Sequence, residues 1–310
     1  MAMSPQADKQ SFLIPGYNEG RLKEKIHNLL WRLMTPLSDE TYIRLKYRIL
    51  QGRWPNLDRP QRYTEKILYR ILHDRNPAYT PLIDKAAAKE IVAAKIGHEY
   101  IIPTYWVGTD LTQISWSSIP KPFIVKPTHT SGQGATIYDQ ADLELFLEKG
   151  VHRKWSLIRH DRFNREWAYS LIEPRIIIEK MVKTSKGIPW DYRFYVFDGT
   201  VRLIEINIRE DGKGYSSLLS PDWELLDIRD PLFLPPYPNT IPRPCRLADM
   251  LEIASDLGRE HDFVRVDLYA DENWIKFGEL TFYPAGGYER FEPDETDIWL
   301  GGFWDQRCGS

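Results

Sequence analysis

The run WDYRFYVFDG (190–199) alternates in side-chain character and ends in Asp198-Gly199, after which TVRLIEINIR (200–209) takes up the alternation again. Successive side chains on a strand point to opposite faces, and Asp-Gly between two such runs is a strong two-residue hairpin signal. The pair predicts an antiparallel hairpin. DFVRVDLYA (262–270) and WIKFGELTF (274–282), joined by Asp271-Glu272-Asn273, predict another. PFIVKP (122–127), the glycine-bearing turn THTSGQG (128–134) and ATIYD (135–139) predict a third. RIIIEKMV (175–182) reads as one apolar strand.

Between these strands lie helical patterns. Residues 1–20 read as a loosely held polar arm. Leu22, Ile26, Leu29, Leu30 and Leu33 recur at helical spacing. Ser38 is placed to cap a second helix with Tyr42, Leu45 and Ile49 on one face. A third helix runs from about Thr64 to His73, with Ile67, Leu68, Ile71 and Leu72 as its apolar face. The first 83 residues therefore read as a helical unit. DKAAAKEIVAAKIG (84–97) is helical with Gly97 as its terminator, and DLELFLEKG (142–150) ends likewise in glycine. Residues 151–173 look irregularly helical, 228–244 is a Pro-rich loop, and Leu247 to Leu257 is an amphipathic helix stopped at Gly258. The fold class is α+β.

The chain of 310 residues is 42% hydrophobic, which excludes disorder, and its net charge of −3 argues against a nucleic-acid partner. No apolar run approaches the roughly 20 residues of a membrane span. Cys245 and Cys308 form no CxxC pair, so a disulfide scaffold or structural zinc is not expected. With no basic-then-apolar leader pattern at the start, a cytoplasmic location is expected. The small total hides an asymmetry. Residues 1–83 carry 14 basic and 8 acidic residues, residues 84–181 carry 13 and 12, and residues 182–310 carry 14 and 24. The basic unit is where an anionic polysaccharide would be sought as a partner; a solvated basic face is the alternative.

Four groups of residues could carry chemistry. In the last hairpin, Arg265 and Asp267 share one strand face, as do Glu279 and Thr281. Paired around 271–273, the four would face one another. Two carboxylates and a hydroxyl suit Mg²⁺, which takes hard oxygen ligands, and an adjacent arginine would stabilise developing negative charge. A cross-strand salt bridge on an exposed face is the alternative. Lys126 precedes the turn Ser131-Gly132-Gln133-Gly134, whose backbone N–H groups could cradle phosphates, although such a turn also simply closes a hairpin. Asp84-Lys85 opens a helix, where Asp84 could be only a cap. Glu179-Lys180-Met181-Val182 ends an apolar strand and could present backbone to a base, or merely leave the core.

The order of these pieces is more specific than any one of them. Asp84-Lys85 at a helix start, IVKP with its glycine turn, IIIEKMV, DYRFYVFDG, RVD and GELT together resemble the TupA-like ATP-grasp family, named for teichuronopeptide biosynthesis. The resemblance spans about residues 50–303 and takes in PQRYTEKILYRIL, DRNPAY and FGELTFYPAGG. It implies an ATP-grasp fold in three parts. Residues 1–83 would be a helical, substrate-facing region, 84–182 an N-terminal lobe with a glycine-turn flap, and 183–310 a C-terminal lobe with the metal site. It implies ATP and Mg²⁺ as cofactors. Lys85 and Lys126 would face ATP, Ser131 to Gly134 would form the flap, and Glu179, Lys180, Met181 and Val182 the adenine hinge. Asp191 would contact ribose and Arg209 phosphate. Asp267, Glu279 and Thr281 would be metal ligands, and Arg265 the transition-state arginine, acting with Lys126. Most of the superfamily has Asn where this chain has Thr281, which favours one Mg²⁺ over two.

The resemblance further implies a carboxylate–amine ligase that passes through an acylphosphate. Its acid would be a uronic acid of a cell-surface polysaccharide or its precursor, or an amino acid. The alternatives are an ATP-grasp kinase acting on a hydroxyl and a non-catalytic glycan-binding protein.

Overall fold

The computed structural model describes residues 33–184, 187–231 and 234–306. The arm at 1–20 and nearly all of the helical pattern at 22–33 lie outside them, as does Cys308; Cys245 is a free, exposed thiol. The chain runs through α1 (Asp39–Gln51), α2 (Tyr63–His73), α3 (Tyr79–Ile83) and α4 (Ala87–Ile96), then β1 (Thr104–Gly108), β2 (Phe123–Pro127) and β3 (Ala135–Ile137). Next come α5 (Gln140–Lys149), α6 (His160–Asn164), β4 (Ile176–Lys180), β5 (Asp191–Phe197), β6 (Thr200–Glu210) and β7 (Lys213–Leu219). α7 (Leu247–Gly258), β8 (Phe263–Asp271), β9 (Trp274–Thr281) and α8 (Glu295–Gly301) complete it.

Local chemistry sets the boundaries. Ser38 caps α1 by accepting the Thr41 N–H at 3.3 Å, as its sequence position predicts. Glu65 closes the start of α2 by accepting the N–H groups of Asn56, Gln61 and Arg62. The Asp84 carboxylate accepts from Ala86 and Ala87 at the head of α4. Asp198-Gly199 and Asp211-Gly212 each hold two successive positive φ angles, the requirement of a tight I′ hairpin turn. The second of these turns leads into β7, a strand that the sequence pattern did not single out.

Two antiparallel sheets result. The smaller has the order β1-β4-β2-β3, and the larger β7-β6-β5-β8-β9. They sit on separate apolar cores. The smaller sheet packs Phe123, Val125, Ile137 and Ile178 against Leu143 and Phe146 of α5. The larger sheet packs one face, including Phe194, Ile204, Ile206, Val266 and Leu268, with Met250, Ala254 and Leu257 of α7. Helices α1 to α3 join that larger core through Tyr42, Tyr47, Ile67, Leu68, Ile71, Tyr79 and Ile83. Those cores cut across the three sequence segments, since residues 34–83 share theirs with the C-terminal sheet.

α2 is fastened to the sheet by a buried charge. Arg70 is fully buried, donates to the carbonyls of Phe263 (2.9 Å) and Phe282 (3.3 Å), and pairs with the Asp262 carboxylate. Asp262 also accepts from Trp304 Nε1 at 2.9 Å, and the Trp304 ring lies 4.4 Å from the guanidinium. Removing one member of a buried ion pair strands the other, typically at a cost of about 3–5 kcal/mol. Arg70→Ala should therefore lower unfolding free energy by about that much in denaturant titration. A loss under about 1 kcal/mol, the range of an exposed pair, would contradict this anchoring role.

Candidate active site

The other face of the large sheet is ionic. β5 lies between β6 and β8, and β8 pairs with β9, so cross-strand partners form rows. One row reads Glu205–Arg193–Asp267–Glu279 across β6, β5, β8 and β9. The next brings Tyr195, Arg265 and Thr281 side by side, and a third sets Asn207, Asp191 and Tyr269 together. The expected juxtaposition of Arg265, Asp267, Glu279 and Thr281 is thus present. It depends on a bulge. Asp267 pairs with Glu279 but Leu268 pairs with Phe277, so Gly278 is the extra residue. The bulge keeps Glu279 and Thr281 on the polar face and Phe277 in the core. A Cβ at Gly278 would stand 2.9 Å from the Asp267 carbonyl, so only glycine fits.

Asp267 is clasped by Arg265, whose Nε and Nη2 reach its two oxygens at 2.8 and 2.7 Å. Arg265 also donates to Thr281 Oγ1 (3.2 Å) and stands 3.7 Å from Glu279. Arg193 donates to Asp191 Oδ2 (2.9 Å) and Glu205 Oε1 (3.1 Å) and stands 3.8 Å from Asp267. Burial pushes the Glu205 carboxyl up, but Arg193 and Arg265 outweigh it and hold it at about 2. Burial pushes Asp267 up, as does the neighbouring Asp191, against the pull of Arg265 and Arg193.

The donor set suits a magnesium ion that shares its coordination with a substrate. Asp191 keeps a buried oxygen, Oδ1, with no partner, and the half-buried Glu279 carboxyl faces the cleft. Among the described residues no three carboxylate, imidazole or thiol side chains form a cage of their own. Mg²⁺ commonly takes one or two carboxylates and completes its shell with water and phosphate oxygens.

The opposite wall comes from the smaller sheet and α4. Glu179 is buried and clamps two lysines, Lys89 at 2.6 Å and Lys126 at 2.5 Å. Burial alone would raise this carboxyl; Lys126 and Lys89 bring it down to about 2. Lys126, Ser131, Gly134, Glu179, Lys180, Met181 and Val182 line a cleft of about 1700 Å³ that also reaches Asp191, Arg209, Arg265, Glu279 and Thr281. That exceeds the roughly 300–1,000 Å³ of an ordinary small-molecule site. The amide N–H groups of Lys180 and Met181 already donate to Pro103 and Pro122, so they serve the fold.

Three expected residues stand back from the wall. Lys85 donates through Nζ to the Thr130 carbonyl at 2.6 Å, tying α4 to the stem of the glycine turn. Gly132 lies at the turn with φ +78°, and Asp267 lies beneath Arg265. Asp191, expected at ribose, sits in the ionic floor beside Arg193. Sequence reasoning missed Lys89, Arg193, Tyr195, Glu205, Asn207 and Glu289. The alternation of Asp191, Arg193 and Tyr195, and of Glu205, Asn207 and Arg209, signalled a polar face. It did not say that β5 would lie against β8.

Two antiparallel α+β lobes, with a lysine clamp on one and a carboxylate–arginine floor on the other, define an ATP-grasp architecture. The family model for TupA-like ATPgrasp matches residues 65–304, and the chain belongs to that family. No curated protein matches its sequence. Among solved structures it is similar to D-alanine–D-alanine ligase from Bacillus anthracis, at 16% identity and a TM-score of 0.39, over 65% of this chain and 57% of that one. It is also similar to an L-amino acid ligase from Bacillus licheniformis, at 11% identity and a TM-score of 0.42, over 85% and 56%. A third is the ATP-grasp ligase PsnB with a minimal precursor, at 12% identity and a TM-score of 0.37, over 68% and 54%. The chain thus spans little more than half the length of these proteins. Among the described residues, no helix is long and apolar enough to cross a membrane.

The clamp has a pH signature. A carboxyl held at about 2 in the folded chain, against an ordinary 4.5, contributes stability that is complete above pH 4.5 and lost as pH falls toward 2. Glu179→Gln should melt lower than wild type at pH 7, and the gap should close between about pH 4.5 and 2. A gap that stayed constant with pH would contradict the assignment.

Proposed function

We propose that the chain is an ATP-dependent carboxylate–amine ligase that forms an amide through an acylphosphate. The observation that carries this reading is the placement of Lys126 across one cleft from Arg265 and Glu279. Phosphoryl transfer needs positioning and charge neutralisation more than covalent help from the protein. In this reading residues 84–182 and 183–310 act as two gripping lobes. Lys126 holds the triphosphate, with Lys85 bracing the glycine turn that carries Ser131, Gly132 and Gly134. The adenine lies along Glu179 to Val182, and Arg209 reaches phosphate from the far end of the floor. A magnesium ion bound by Glu279 and by Asp267, which would give up an Arg265 contact to reach it, with Thr281 and the free Asp191 Oδ1 beside them, would neutralise charge on the phosphate oxygens. Arg265 stabilises the oxyanion as the acid attacks and again as the amine adds. Closure of the turn excludes water, which would otherwise hydrolyse the acylphosphate.

The acid proposed is a uronic acid of a cell-surface polysaccharide or its precursor, or an amino acid. Support for the polyanion comes from the excess of basic residues in 1–83, and support for an amide product from family membership. A cytoplasmic site of action goes with this reading.

Asp267→Asn and Glu279→Gln should each abolish Mg²⁺-dependent ADP release while far-UV dichroism stays that of wild type. Unchanged release in both would refute the site. With uronic and amino acids as candidate substrates, hydroxylamine should trap an acyl hydroxamate. A stable phosphorylated product instead would assign a kinase, and absence of Mg²⁺-dependent ATP binding by calorimetry a binding protein.

A further inference from the structure

We propose that Glu289 is the amine-binding residue of the cleft: its Oε2 receives the ammonium group of the incoming acceptor and removes a proton from it. This rests on the ligase reading above. Glu289 follows the turn Pro284–Gly287, is 9% exposed, and lies on the cleft wall with Tyr195, Glu205, Asp230, Arg265 and Phe291. Its Oε2 is buried and has no partner. A buried acceptor without a donor carries a desolvation cost, and a ligand N–H would remove it. The position also suits the chemistry, because Tyr195 is the cross-strand neighbour of Arg265.

The hydrogen bonds fix the resting proton. Tyr195 Oη lies 2.9 Å from Glu205 Oε2 and 3.1 Å from Glu289 Oε1. One hydroxyl has one proton and can donate to only one of them. Glu205 accepts from Arg193, Asn207 and Ser216 on its other oxygen, so it is the ionised member and the acceptor from Tyr195. Glu289 then meets the Tyr195 oxygen as a protonated acid that donates to it. Burial and the neighbouring Glu205 push its carboxyl up to about 8, with Asp230 adding and Arg265 opposing. Tyr63, packed from α2 and itself raised, stays neutral.

An arriving ammonium exchanges for this proton, which leaves to solvent. The bound ammonium then returns a proton to Glu289: R–NH₃⁺ and carboxylate become R–NH₂ and carboxylic acid. The freed lone pair forms the C–N bond to the acyl carbon as the C–O bond to phosphate breaks. Phosphate leaves with that electron pair and takes up the second N–H proton. An acid whose midpoint lies near working pH is well matched to such transfer.

The test uses the full chain, with methylammonium as probe. Infrared difference spectra of wild type should show a carboxylic-acid C=O band at pH 7 that disappears when methylammonium binds, with release of close to one proton per chain. Glu289→Gln should show neither that loss of band on methylammonium binding nor the release, since the other raised carboxyls, Glu166 and Asp267, are common to both spectra and cancel in the difference. A wild type without that loss, or a variant that shows it, overturns the proposal, and the wild-type measurement stands if the variant misfolds. In turnover, hydroxylamine is already unprotonated at neutral pH. Glu289→Gln should therefore lose amide formation about a hundredfold or more, and hydroxamate formation far less; equal losses would overturn the role. Absence of hydroxamate from wild type speaks against the ligase reading alone, and the infrared result still decides on Glu289.

Discussion

The row Glu205–Arg193–Asp267–Glu279 is the constraint on which the rest of the molecule depends. It sets a carboxylate, an arginine and two further carboxylates side by side on four adjacent strands. The charges are tolerated because they pair with one another beside the cleft, while the underside of the same strands is buried in hydrocarbon with Phe194, Ile204, Val266 and Leu268. Period-two alternation produces both faces from the same strands. A register slip by one residue would bury the charges and expose the core, so the ionic face and the fold specify each other. Gly278 breaks the alternation between β8 and β9 so that both hold there, and a second shift lies between β5 and β6 at Tyr195 and Val196.

Two charge clamps then oppose each other across the cleft. On one side Glu179 gathers Lys89 and Lys126; on the other Arg193 and Arg265 gather carboxylates. Each clamp holds its members in place before any substrate arrives, so little reorganisation is left for the moment of reaction. The lysine wall suits polyphosphate and the carboxylate floor suits a divalent cation, and the cleft between them has room for a nucleotide and a second substrate. Arg70 and Asp262 tie the helical segment to the start of β8, close to the strand that carries Arg265 and Asp267.

Much of this was legible in the sequence, for a physical reason. The hairpin of β8 and β9 is local, so alternation and turn position marked Arg265, Asp267, Glu279 and Thr281 as candidates for one face, although the Gly278 bulge that sets their pairing was not marked. Lys126 and the glycine turn were legible for the same reason. Long-range neighbours were not. Arg193 matters because β5 inserts between β6 and β8, and strand order is not written in periodicity. Lys89 looked like one more helix former, four residues beyond Lys85, until β4 brought Glu179 beneath it. Glu289 belongs to no periodic element, so no pattern could mark it. β7 was missed although Asp211-Gly212 carries the same turn signal as Asp198-Gly199.

The central claim is that the carboxylate floor and the lysine wall close on one metal–nucleotide complex. Crystals grown with Mn²⁺ and a non-hydrolysable ATP analogue would test it most directly, because manganese can be located by its anomalous scattering. The account predicts an ion coordinated by Asp267, Glu279 and a phosphate oxygen, with Lys126 on the triphosphate. An ion bound elsewhere, or a nucleotide outside this cleft, would contradict it.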